Sequence, residues 1–114
     1  MSALEELQAW YLSQCNGDWE HTYGVSIGTL DNPGWSFEAE LTDSDLAGRP
    51  FSPVSHGVGA DSIEDNQDWL FCEVKNNKFI AHGGPCKLDE MILIFVKWAN
   101  GCQPNNSLER TRER

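Results

Sequence analysis

WEHTYGVSIGTLDNPGWSFEAELT, from Trp19 to Thr42, is the stretch on which the fold turns. Its first half has a period of two. Trp19, His21, Tyr23, Val25, Ile27 and Thr29 share one parity, and Glu20, Thr22, Gly24, Ser26 and Gly28 take the other. That alternation predicts a strand from Trp19 to Thr29 with one buried face. Asp31-Asn32-Pro33-Gly34 is turn chemistry, because proline restricts φ and glycine admits positive φ. Beyond it Trp35, Phe37, Ala39 and Leu41 face one way, and Ser36, Glu38, Glu40 and Thr42 the other. The two halves are expected to pair as an antiparallel hairpin.

Upstream, residues from about Ala3 to Gln14 read as a helix with Leu4, Leu7 and Tyr11 on one face and Trp10 beside it. Ser2 can cap its start, with Glu5 three residues on completing a capping box, and Asn16-Gly17-Asp18 ends the pattern. Downstream, Asp43 to Asp68 is irregular, with Pro50, Pro53 and several glycines, and predicts a long loop carrying a short edge strand near Phe51 to Val54. A second hairpin follows: Trp69 to Lys75, a turn at Asn76-Asn77, then Lys78 to His82. In it Leu70, Cys72 and Val74 have the core parity, sending Trp69, Phe71 and Glu73 to the other face.

Gly83-Gly84-Pro85 closes the sheet. Lys87 to Asn100 then reads as the final helix, with Leu88, Met91, Ile92, Phe95 and Trp98 as an apolar stripe and Gly101 as its C-cap. The expected class is α+β: an antiparallel sheet of about four strands in two hairpins, packed on one face by the N- and C-terminal helices. Residues 1–101 are expected to form a single domain and residues 102–114 a flexible tail.

Composition narrows the function. The N-terminus has no basic segment followed by an apolar run, so no secretory signal is read there. The longest apolar run, Met91 to Val96, is far below the roughly 18 residues a membrane span needs. The expected location is the cytoplasm. Cys15, Cys72, Cys86 and Cys102 form no CxxC pair, and reduced thiols are the default. The formal charge of −10 is concentrated: between Asn16 and Glu73 twelve carboxylates face the single base Arg49. Such a field repels nucleic acid and anionic membrane, and steers basic partners at rates that fall as salt rises.

No phosphate-binding loop, HExxH motif or nucleophile elbow is written in the chain. Cys15 with His21 or His56 is a candidate nucleophilic pair, but no third group or oxyanion donor accompanies it. His21, His56 and His82 lack metal-ligand spacing. Binding is therefore the favoured class, with no catalytic, cofactor or metal residue assigned. Asp18-Trp19-Glu20-His21 concentrates charge around a large aromatic, the composition of an interface anchor. Glu38 and Glu40 lie on the outer parity of a strand. The expected partner-binding residues are Asp18, Trp19, Glu20, Glu38, Glu40, Asp43, Asp45, Asp61, Glu64, Asp65, Asp68 and Trp69, with the carboxylates steering and Trp19 or Trp69 anchoring.

Trp10-Tyr11, CNGDWEHTYGVSIGTLDNPGW from Cys15 to Trp35, WLFCEV from Trp69 to Val74 and GGPCKLDEMILIF from Gly83 to Phe95 together resemble the immunity protein 53 family of bacterial polymorphic-toxin systems. The resemblance covers nearly all of residues 4 to 99. It implies a small cytosolic protein that binds and blocks a cognate toxin domain without catalysis. The acidic stretch implies a basic toxin, such as a nuclease whose cleft binds phosphate. Neither nucleic acid nor membrane is expected as a partner, and the chain is expected to be a monomer or weak homodimer. Two alternatives stay open: a small enzyme using Cys15 and His21, and an adaptor that binds a basic peptide.

Overall fold

The computed structural model describes residues 2–31, 33–56 and 69–101. Helix α1 spans Ala3–Gln14 and starts as expected. The Ser2 hydroxyl accepts the Glu5 N–H at 3.1 Å, and the Glu5 carboxylate accepts the Ser2 N–H at 2.9 Å. Its buried face differs from the expected one. Ala3, Leu7 and Trp10 point inward, while Leu4 and Tyr11 are 50% and 39% exposed. Both sets are helical stripes, and the larger Trp10 decides between them. Its indole can be buried with its N–H satisfied, by Asp45 Oδ1 at 3.0 Å.

The strand expected to start at Trp19 starts at Val25 instead, and Trp19–Thr22 forms a short helix, α2. Local polar bonds explain this. Asn16 Oδ1 accepts the N–H groups of Asp18 and Trp19, each at 2.9 Å, and the Glu20 carboxylate accepts those of Asn16 and Gly17, also at 2.9 Å. Side chains that satisfy nearby backbone donors compete with a sheet ladder for them. The alternation before Val25 was therefore not a strand signal.

Strands β1 (Val25–Leu30) and β2 (Gly34–Glu40) pair in the expected hairpin, in register from Val25↔Ala39 to Leu30↔Gly34. Strand β3 (Val54–His56) is the short edge strand, displaced toward the C-terminus from Phe51–Val54. Strands β4 (Leu70–Lys75) and β5 (Lys78–Gly83) form the second hairpin. Asn76 and Asn77 both adopt positive φ, 55° and 62°, the conformation a two-residue hairpin turn with right-handed twist requires. Helix α3 spans Leu88–Ala99, and Gly101 follows at φ 94°.

Among the described residues the sheet has five strands, ordered β1-β2-β5-β4-β3 and antiparallel throughout. Its register places Phe37, Ala39, Leu70, Cys72, Phe79 and Ala81 on one face, all essentially inaccessible to solvent. Helix α3 lies on that face against β2 and β5, and α1 packs chiefly against α3. The joint between layers is aromatic. The Phe95 ring lies 4.9 Å from Trp10, 5.5 Å from Phe37 and 5.0 Å from Phe79. The other face, opposite α3, carries Glu38 and Glu40, Phe71 and Glu73, and Lys78, Ile80 and His82. Among the described residues no helix is long and apolar enough to cross a membrane.

Candidate functional site

The outer parity of β2 presents Glu38 and Glu40 beside the segment that links α2 to β1. Thr22, Tyr23, Gly24, Val25, Ser26, Glu38, Glu40 and Lys78 line one shallow hollow there. A second hollow adjoins it across Thr22 and Tyr23, lined by Asn16, Asp18, Trp19 and Asp43. Four of the expected binding carboxylates thus flank one ridge, with Asp18 and Asp43 on one side and Glu38 and Glu40 on the other. Lys78, which pairs in register with Glu40, is the one base among the described lining residues. The Thr42 hydroxyl donates to Glu40 Oε2 at 2.7 Å. Asp43 is held at φ 61°, a left-handed conformation that aspartate tolerates better than most residues.

Arg49, the only base in the acidic stretch, is committed elsewhere. Its guanidinium donates to the carbonyl oxygens of Trp98 at 2.9 Å and Ala99 at 3.3 Å, placing a cation at the C-terminal end of α3, where it complements the helix dipole. The carboxylates nearby are therefore not neutralised by it.

The remaining expected residues fall elsewhere. Trp19 is 2% exposed. It packs edge-on against Trp10 and donates its indole N–H to the Thr42 carbonyl at 3.0 Å. As an interface anchor Trp19 is corrected to a core residue, because no ring face is left for a partner; it ties α2 to the segment carrying Asp43. Glu20 serves its own turn. Hydrogen bonds from its own backbone N–H, and then from those of Asn16 and Gly17, hold its carboxyl below the usual range against the opposing effect of desolvation, with His21 adding a little. Asp45 lies apart in a hollow between the helices, with Glu6, Ser13 and Asn100. Trp69 is half-buried just before β4, and its carbonyl accepts the Gly84 N–H at 3.0 Å. Asp61, Glu64, Asp65 and Asp68 lie outside the described residues.

Glu73, Ile80 and His82, which share the outer face with Glu38, were not among the binding residues expected from sequence. The signal that finds them is the β2–β5 register: Ile80 pairs with both Glu38 and Glu73.

The cysteine–histidine pair finds no support in the geometry. The Cys15 thiol donates to the Tyr11 carbonyl of its own helix at 3.3 Å. Among the described residues no three His, Cys, Asp or Glu side chains gather as a metal site. Cys72 is fully buried in β4, and burial, with a smaller contribution from Glu90, pushes its thiol up to about 12. Unfolding lets that thiol ionise at about 8.5, so its contribution to stability is complete at neutral pH and is lost as pH rises from there toward 12. With iodoacetamide at pH 8, Cys86 and Cys15 should be modified in the native protein and Cys72 only after denaturant is added, as read by peptide mass mapping.

No curated protein and no solved structure matches the chain. A family model described as immunity protein 53 matches residues 4–100, and the chain therefore belongs to the immunity protein 53 family.

Proposed function

We propose that this protein acts in the cytoplasm as a non-catalytic inhibitor, binding a cognate toxin domain through the acidic ridge at Thr22 and Tyr23. Family membership supports immunity as the role. The observation that carries the interface is the convergence of Asp18, Asp43, Glu38 and Glu40 around two hollows that share Thr22 and Tyr23. Carboxylates spaced along a surface stand in for the phosphates of a nucleic acid, so a basic toxin such as a nuclease is the partner class that fits. Long-range attraction accelerates encounter, and desolvated pairs then slow release.

The test is to take a candidate toxin domain from a neighbouring gene, co-express it with the wild-type protein, and measure its binding to the wild type and to a Glu38→Lys, Glu40→Lys, Asp43→Lys variant. The reversal should lower the association rate by at least about tenfold at low ionic strength and flatten its dependence on salt. An association rate and salt slope equal to wild type would overturn the acidic interface. Failure of the wild-type protein to protect cells from that toxin would overturn immunity itself.

A further inference from the structure

The geometry points to strand addition at the free edge of β1: an extended segment of the toxin pairs with Val25–Leu30 and becomes a sixth strand of the sheet. This rests on the toxin-binding reading and specifies how the partner is held. Glu40 donates its N–H to the Gly24 carbonyl at 3.0 Å, so Gly24, Ser26, Gly28 and Leu30 turn their backbone groups toward β2. The N–H and C=O groups of Val25, Ile27 and Thr29 then point away from the sheet, and no described residue bonds to them.

Exposed edges are usually blunted by lysine, proline, a bulge or a short strand. β1 has none of these. VSIGTL is uncharged, six residues long and in unbroken register with β2. Ile27 on its helix-side face is 41% exposed. The other edge strand, β3, has three residues.

Charge selects the occupant. On the face opposite α3, Gly24 and Ser26 stand directly across from Glu40 and Glu38, and their side chains are too short to screen those carboxylates. An added strand would lie two spacings from β2, roughly 10 Å. Lysine or arginine side chains on it could extend over Ser26 toward Glu38, while its alternate apolar side chains cover Ile27. A second copy of this chain fits poorly, because two molecules each carrying −10 would meet edge to edge with their Glu38 and Glu40 pairs on one continuous surface.

Backbone amide exchange of the full chain, free and saturated with a toxin domain that it neutralises, reads the proposal directly. The Val25, Ile27 and Thr29 amides should slow by roughly tenfold or more in the complex, with Ser26 and Gly28 changing little. Ile27→Pro removes a donor that makes no bond in the free protein, so the variant should fold and yet bind the toxin roughly 10- to 100-fold more weakly. Ile27→Lys is the second variant should proline perturb the hairpin. Unchanged exchange at those three amides, or full neutralisation by a folded Ile27→Pro variant, overturns the edge while leaving immunity intact. A sedimenting homodimer that Ile27→Pro dissociates would assign the edge to a second copy and also overturn the proposal. Absence of any toxin protection by wild type removes both readings.

Discussion

Phe95→Ala should lower the free energy of unfolding by about 3–5 kcal/mol, the largest effect of any single side-chain truncation in the described core. Phe95 is completely buried, and its ring contacts those of Trp10, Phe37, Phe79 and Trp98. It therefore joins α1, α3, β2 and β5 at one point. Truncation leaves a void that four large rings on separate elements cannot close together, so the loss exceeds simple transfer of a benzyl group. Domains of this size are stable by about 5–15 kcal/mol, which puts the variant near the limit of folding. Urea titration followed by tryptophan fluorescence would show the shift in midpoint. A midpoint unchanged from wild type would mean that α3 does not seat on the sheet through Phe95.

The consequence reaches the binding surface. Phe37 lies on β2 one residue from Glu38, on the opposite face, so loss of packing beneath the strand loosens the platform that orients Glu38 and Glu40. Toxin affinity of Phe95→Ala should therefore fall even at temperatures where the chain remains folded.

Gly34→Ala should be nearly as damaging, at about 3 kcal/mol, the upper end for overpacking. A Cβ at Gly34 would lie 2.3 Å from the carbonyl oxygen of Gly83 and 3.4 Å from the Leu30 side chain. The obstacle is backbone on the neighbouring strand, which cannot swing aside as a flexible side chain can. The contact also joins two of the motifs read in the sequence, LDNPGW and GGPC, and beside it the Trp35 indole N–H donates to the Pro85 carbonyl at 3.0 Å. Thermal unfolding should show a fall of roughly 10 °C or more. Gly24→Ala is the matched control, since nothing lies within 4 Å of its added methyl, and its melting temperature should stay close to wild type.

Much of the architecture was legible because it is encoded over short spans. Alternation in Trp35 to Leu41 and in Leu70 to Val74 named the buried parity of both hairpins correctly. Asn76-Asn77 marked a turn that needs two residues at positive φ, and the apolar stripe from Leu88 to Trp98 marked α3. Ser2 and Glu5 announced the start of α1 with a bond pattern only three residues wide. Each of these signals is local, and local physics suffices to produce it.

Errors arose where two local solutions were close and distant contacts chose between them. Trp19 to Thr22 alternates like a strand, but bonds from Asn16 and Glu20 coil it into a helix that buries Trp19 against Trp10. The face of α1 rotated toward Trp10 because Asp45, 35 residues away, was there to accept its indole proton. The candidate site was legible in part: its carboxylates could be counted, but their grouping could not.

The sequence by itself determined the composition of the hairpins, the buried parity of β2 and β4, the course of the final helix and the excess of negative charge, since all of these are properties of neighbouring residues. Only the tertiary structure decided that Asp18 and Asp43 stand beside Glu38 and Glu40, that Arg49 caps a distant helix rather than offsetting them, and that among the described residues β1 is left as an open edge. Those outcomes depend on contacts far apart in the chain, such as the pairing of β2 with β5 from Glu40↔Lys78 to Trp35↔Gly83, and a strand's neighbours are set by how the whole apolar surface is buried rather than by the strand's own residues.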